Sequence, residues 1–176
     1  MKNSPYILSL ALATAATLST APAMAKGKLN VICSTDTDWC SLMETSFEAE
    51  TGIDVALIRK SSGEAYAQLR AESKNPKIDI WWGGTGDPHL QAAAEKLTQV
   101  YKPKALPDLR DWAQNQAKVS GYRTVGVYAG ALGFGYNEDI LKSKGLPAPQ
   151  CWKDLAKPIY KGEVQVANPN SSGTSY

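Results

Sequence analysis

The sequence predicts an α/β protein built on a largely parallel sheet, and two observations carry that prediction. From Lys28 onward, short apolar runs of strand length alternate with longer stretches of helical periodicity, the order that a parallel sheet with crossover helices requires. The turns leading from strand to helix are also alike, each a short run of glycine and small hydroxyl residues. A parallel sheet gathers such turns along its carboxyl edge.

Taken in order, Leu29-Asn30-Val31-Ile32 is the first strand, and a helix follows from about Asp38 to Thr51 with Trp39, Leu42, Met43 and Phe47 near helical spacing and Gly52 as its stop. Ile53 to Ile58 is the second strand. Ser61 and Glu64 stand three apart, as a capping box requires, and open a helix that runs to about Ser73, where Lys74-Asn75-Pro76 breaks it. Ile78 to Trp82 is a third, partly buried strand. Gly83-Gly84-Thr85-Gly86 turns into a helix with Pro88 in its first turn, a favourable place for proline. After a Pro/Lys-rich stretch, Lys102–Pro107, the segment around Trp112 reads as polar connection. Tyr122 to Tyr136 mixes β-forming residues with four glycines, a fifth, Gly121, standing just before it, and reads as extended strands crossing between lobes. Glu138 to Lys144 is a helix, Trp152–Leu155 a turn, and Glu163 to Ala167 a strand. Asn168 to Thr174 begins another helical turn, so the chain is expected to be a piece of a longer protein.

Composition narrows the function. The chain has 176 residues, 43% hydrophobic and 20% charged, without repeats or biased tracts, which fits a globular protein and excludes a disordered one. A net charge of +2 without a long basic run excludes nucleic acid as partner. Residues 1–25 carry Lys2, an apolar run Ile7–Leu18 and the small-residue end Ala21-Pro22-Ala23-Met24-Ala25, and are read as a cleaved secretory signal peptide. A spanning helix needs about 20 apolar residues, more than this run supplies. Lys26, rather than a cysteine, follows the cut and argues against a lipid anchor. A free periplasmic protein is expected.

Four turns carry the candidate site: Cys33-Ser34-Thr35-Asp36, Ser61-Ser62-Gly63, Gly83-Gly84-Thr85-Gly86 and Ser171-Ser172-Gly173-Thr174. Each offers backbone N–H groups at a helix start together with hydroxyl donors, which suits a phosphate, phosphonate or carboxylate. The bland reading of any single turn is a plain N-cap; four on one edge bring a ligand site level with it. The expected donors are Ser34, Thr35, Ser61, Ser62, Gly84, Thr85, Ser172, Gly173 and Thr174. No catalytic or metal-ligating set is assigned. Nucleophile-elbow and phosphate-loop motifs do not occur, and His89 is the only histidine of the chain. It reads as a surface or cleft-rim residue. Trp81-Trp82 could stack a sugar ring but reads first as core, as do Tyr128 and Tyr136. The sequence offers binding more than turnover, with a secreted hydrolase as the weaker alternative.

Cys33, Cys40 and Cys151 all lie in the exported part, where disulfides form. Cys33 at a strand end and Cys40 at a helix start make the favoured pair. Cys151 is left either as a buried free thiol or with a partner beyond this chain, and the spacing lacks the Cys-x-x-Cys form of zinc sites.

With these residues in view, the chain resembles the periplasmic solute-binding proteins of ABC importers, in the branch that binds ferric iron or hexose phosphates. The resemblance is carried by Val31-Ile32-Cys33-Ser34, Ile58 to Gly63, Asp79 to Asp87, Leu132 to Asn137, Cys151 to Leu155 and Gly162 to Thr174. It implies a periplasmic-binding-protein type II fold with two lobes on mixed, mainly parallel sheets, closing on solute about a hinge. Residues 26–130 would be the N-terminal lobe, and 131–176 the hinge crossing and start of an incomplete second lobe. It implies a monomer without cofactor, an anionic small-molecule solute, an ABC membrane permease as partner, and a fourth cysteine later in the chain. A phosphorylated sugar or related organophosphate is the expected solute. The alternative is a ferric-iron transport protein, whose tyrosine pair would fall beyond Tyr176.

Overall fold

The computed structural model describes residues 27–175; residues 1–26, with the expected signal peptide, and Tyr176 lie outside the described residues. Three parallel strands, β1 (Lys28–Cys33), β2 (Asp54–Arg59) and β3 (Ile80–Trp82), form a sheet of order β2-β1-β3. Central β1 supplies the core, with Val31 nearly and Ile32 and Cys33 fully buried. The register sets Cys33 opposite both Arg59 and Trp82. All three strands therefore end at one level, and their following turns start side by side. The ladder continues one step further, with Ser34 N–H donating to Trp82 O (2.8 Å) and Lys60 N–H to Cys33 O (3.0 Å).

Helix α1 (Thr37–Thr51) connects β1 to β2 and closes on Gly52 in the left-handed conformation, φ 69°, as its sequence anticipates. Glu48 near its end accepts the Val55 N–H at 2.8 Å and ties the helix to β2. The apolar face read from periodicity is not a buried one. Trp39, Leu42, Met43 and Phe47 are exposed, and Cys40 is the buried residue of the helix. Helix α2 (Ser62–Ala71) begins at the complete Ser61/Glu64 capping box. It packs on α3 (Gly86–Ala94), joined by Tyr66 OH to Glu95 Oε1 at 2.5 Å and by the Arg70–Glu95 ion pair at 3.3 Å.

Three expectations are corrected. The segment around Trp112 is a helix, α4 (Asp111–Val119), with Ala113 and Ala117, four positions apart on one face, buried. Residues 122–136 and 163–167 form no strand. Extended backbone becomes a strand only by pairing. Residues 123–129 instead face the free edge of β3 across a groove of about 1290 Å³ lined by Ile78, Ile80, Trp82, Gln116 and Thr124 among others, and Val164 and Val166 stand exposed. Helix α5 (Glu138–Ser143), capped by the Asn137 side chain on Ile140 N–H, and the 3-10 turn Trp152–Ala156 form as expected. Among the described residues no helix is long and apolar enough to cross a membrane.

Cys33 and Cys40 are joined by a disulfide that staples the end of β1 to the first turns of α1. Cys151 is a free thiol, and exposed rather than buried.

Candidate functional site

The four turns meet. At the carboxyl edge, a Cβ placed on Gly84 would collide with Ser62 Oγ and lie 3.0 Å from Ser34 Cβ. One on Gly173, from the far end of the chain, would lie 2.5 Å from both Ser62 Oγ and Thr85 Oγ1. Gly63 backs onto the Asn170 carbonyl with similar closeness. Residues 34, 62, 84, 85 and 173 thus occupy one small volume, and glycine stands wherever two backbones must approach this closely. Gly83 and Gly84 also require it for conformation, at φ 79° and 92°.

Inside this volume the groups largely bond to one another. Ser62, 4% exposed, accepts the Thr85 N–H at 3.2 Å. Ser34 Oγ accepts from Trp81 Nε1 at 2.8 Å. Ser61 is committed to its cap: its hydroxyl and N–H both reach the Glu64 carboxylate, at 2.8 and 3.0 Å. Those bonds, the backbone one first, hold Glu64 below the ordinary carboxylate range. Thr35 packs its side chain beside Gly83, and its carbonyl accepts from Arg59 Nε at 2.8 Å, which brings a guanidinium to the rim. Thr85 Oγ1 is different. It is buried without a hydrogen-bond partner at the N-cap of α3, beneath Gly173. A buried polar atom without a partner is costly unless something bonds it. Ser172 borders this meeting point through its neighbour Gly173, while Thr174 is exposed.

Two residues that the sequence left to packing or to the rim turn out to hold the glycine turn. His89 lies under it, partly buried, stacked on Trp81 with ring centroids 3.7 Å apart and with Nε2 2.8 Å from Gly83 O. The carbonyl only accepts, so Nε2 carries the proton. Burial pushes the imidazole below its ordinary value, with the Gly83 bond opposing the shift. Trp81 is therefore occupied on its ring face by His89 and on its N–H by Ser34. Tyr128 reaches the turn from the glycine-rich segment, its hydroxyl accepting the Gly84 N–H at 2.7 Å and lying 3.2 Å from Gly84 O. The only sequence signal for it was a tyrosine flanked by glycines. Among the described residues no group of three or more His, Cys, Asp or Glu could hold a metal ion.

Comparison with known proteins gives this arrangement a family. The chain is similar to the periplasmic binding protein AfuA of Actinobacillus pleuropneumoniae, whose structure holds exogenous fructose-6-phosphate, with 39% identity and TM-score 0.77 over 85% of this chain and 47% of that one. It is similar to the periplasmic binding protein P5PA with 33% identity and TM-score 0.76, over 84% and 47%. An uncharacterised protein of Haemophilus influenzae is 39% identical over 170 residues, 96% of this chain and 49% of the relative. The chain spans about half the length of the relatives it matches. Residues 75–176 match the family described as bacterial extracellular solute-binding protein, and with 39% identity over nearly the whole chain to a relative as well, the chain belongs to that family.

Proposed function

We propose that this protein is the solute-capturing component of an ABC importer, and that its solute is a phosphorylated sugar or related organophosphate. The observation that carries the reading is the convergence of the hydroxyl and glycine turns on Gly173, with the Thr85 hydroxyl buried and unbonded at the start of α3. Helix starts and hydroxyl donors stabilise an oxyanion, and Arg59 adds a cation at the rim. Support comes from a relative of the same fold whose structure holds a hexose phosphate.

Residues 26–130 act as one lobe and 131–176 as the crossing and the start of a second. Solute bonded to both sides stabilises the closed form by its higher affinity for that form, and the permease recognises that form. The protein works as a periplasmic monomer after loss of residues 1–25. No bond-breaking step is assigned. The one imidazole is spent on Gly83 O and Trp81, and Ser62 and Ser34 are bonded to Thr85 N–H and Trp81, so none of these serines has a base beside it.

Calorimetric titration of the full-length protein with fructose 6-phosphate, inorganic phosphate and ferric ion separates the readings. A 1:1 complex with the sugar phosphate, without turnover, is expected. Binding of ferric ion with no response to any phosphate ester would overturn the solute assignment.

A further inference from the structure

The Tyr128 phenol has an unusual set of partners. One hydroxyl bonds both peptide groups of one residue, accepting from Gly84 N–H and donating to Gly84 O. That residue sits in the left-handed region next to a second left-handed glycine, a conformation with little intrinsic preference of its own. Ring contacts hold the phenol in place, edge-on to Trp39 of α1 at 5.4 Å and tilted to Trp82 of β3 at 6.4 Å. The segment that carries Tyr128 has no ladder of its own. Its start is tied to Ser120 Oγ through the Thr124 N–H and carbonyl, and further along it is set by Gly126, whose missing Cβ leaves room for the Trp112 ring and Ala113 of α4.

We propose that Tyr128 is a positioning residue of the solute site: its hydroxyl, carried on the crossing segment, holds the Gly83–Gly84 turn in the shape that places Thr85 and the start of α3, so the position of the segment and the affinity for solute are coupled. The inference rests on the solute-capture reading. Thr85 follows Gly84 directly, and its N–H is already committed to Ser62. Rotation of the Gly84 peptide would therefore move the unbonded Thr85 hydroxyl relative to Gly173. His89 fixes the Gly83 carbonyl from below and Tyr128 fixes Gly84 from above, which leaves the turn one shape while both bonds stand.

Tyr128→Phe in the full-length protein removes the hydroxyl and keeps the ring contacts. Affinity for fructose 6-phosphate is expected to fall about tenfold, the effect of losing one ordinary hydrogen bond. Hydrogen exchange of the Gly84 amide should rise by a similar factor while the Ala65 amide in α2 stays unchanged, a difference that a general loss of packing would not produce. Gly126→Ala pushes the segment off Trp112. In the wild-type background it should also speed Gly84 exchange, and in the Tyr128→Phe background it should add nothing further. Tighter solute binding by Tyr128→Phe would overturn the proposal, since the hydroxyl would then be competing with solute for the Gly84 N–H. Unchanged Gly84 exchange, or additive effects of the two substitutions, would also overturn it. Should the wild type bind no phosphate ester, the solute assignment fails, and Gly84 exchange alone decides whether Tyr128 holds the turn.

Discussion

Residues 28–97 and residues 122–175 differ in how their structure is held. In the first region every strand lies beside a neighbour, α2 opens on a complete capping box, and a disulfide staples β1 to α1. The second has comparable β-forming residues at 122–128 and 163–167, yet its regular elements are α5 and short 3-10 turns. Local bonds suffice for those: Asn137 caps α5, and Asp154 accepts from Gln150 N–H, Cys151 N–H and Lys157 Nζ. A strand has no such local source. Its N–H and C=O groups need another strand, and propensity without a partner leaves an extended loop.

Substitutions can break or sharpen this contrast, the largest effect first. Gly84→Val should destabilise by about 3 kcal/mol, from a left-handed backbone and overpacking against Ser62, measured by urea unfolding. A loss below 1 kcal/mol would mean that the turns do not press together as described. Replacing Cys33 and Cys40 together by alanine should cost about 2 kcal/mol, the chain-entropy value for so short a loop, and the same loss should follow reductant in the unsubstituted protein. Ser61→Ala should cost about 1 kcal/mol through the lost cap of α2; an unchanged urea midpoint would show the capping box to be dispensable.

The two regions also part under acid. His89 has a folded value below its ordinary 6.5, so the unfolded chain binds its proton first. Stability that is complete above about pH 6.5 declines as the pH falls below it, and His89→Gln should flatten that decline in urea midpoints taken between pH 5 and 8. Asp154 in the second region is held down to about 2, chiefly by Lys157. Its contribution stands above pH 3.8 and is lost as the pH falls toward 2, so NMR titration of its carboxyl should show a midpoint well below that of a free aspartate. Smallest of all, Val166→Asp, at a residue 80% exposed, should change the stability of this 176-residue chain by no more than about 0.5 kcal/mol. A larger loss would show that the valine is covered after all.

How far the sequence was legible follows the same division. The Ser61/Glu64 box, the stop at Gly52 and the Cys33–Cys40 pair depend on residues close in the chain, and spacing or a place at an element's end makes each of them legible. Helix α4 is polar overall and reads as connection, although Ala113 and Ala117 already mark its buried face. The exposed face of α1 shows the limit of periodicity: Trp39, Leu42, Met43 and Phe47 keep helical spacing whether or not anything covers them. Within the site, the turns were identifiable as small and polar, but the bonding of each hydroxyl was not. Ser61 belongs to its helix, Ser34 to Trp81, and Ser62 to Thr85.

By itself, then, the sequence determined the order of elements in the sheet region, the helix caps, the disulfide and the residue types at the carboxyl edge, because each depends on neighbours a few positions away. Only the tertiary structure decided that Gly173 meets Ser62 and Thr85, that Tyr128 and His89 grip the same glycine turn, and that residues 123–129 face β3 across a groove without pairing to it. Apart from the six-residue step from Gly83 to His89, these contacts join residues dozens to more than a hundred positions apart; they depend on packing and close approach of backbones, and local spacing carries no record of either.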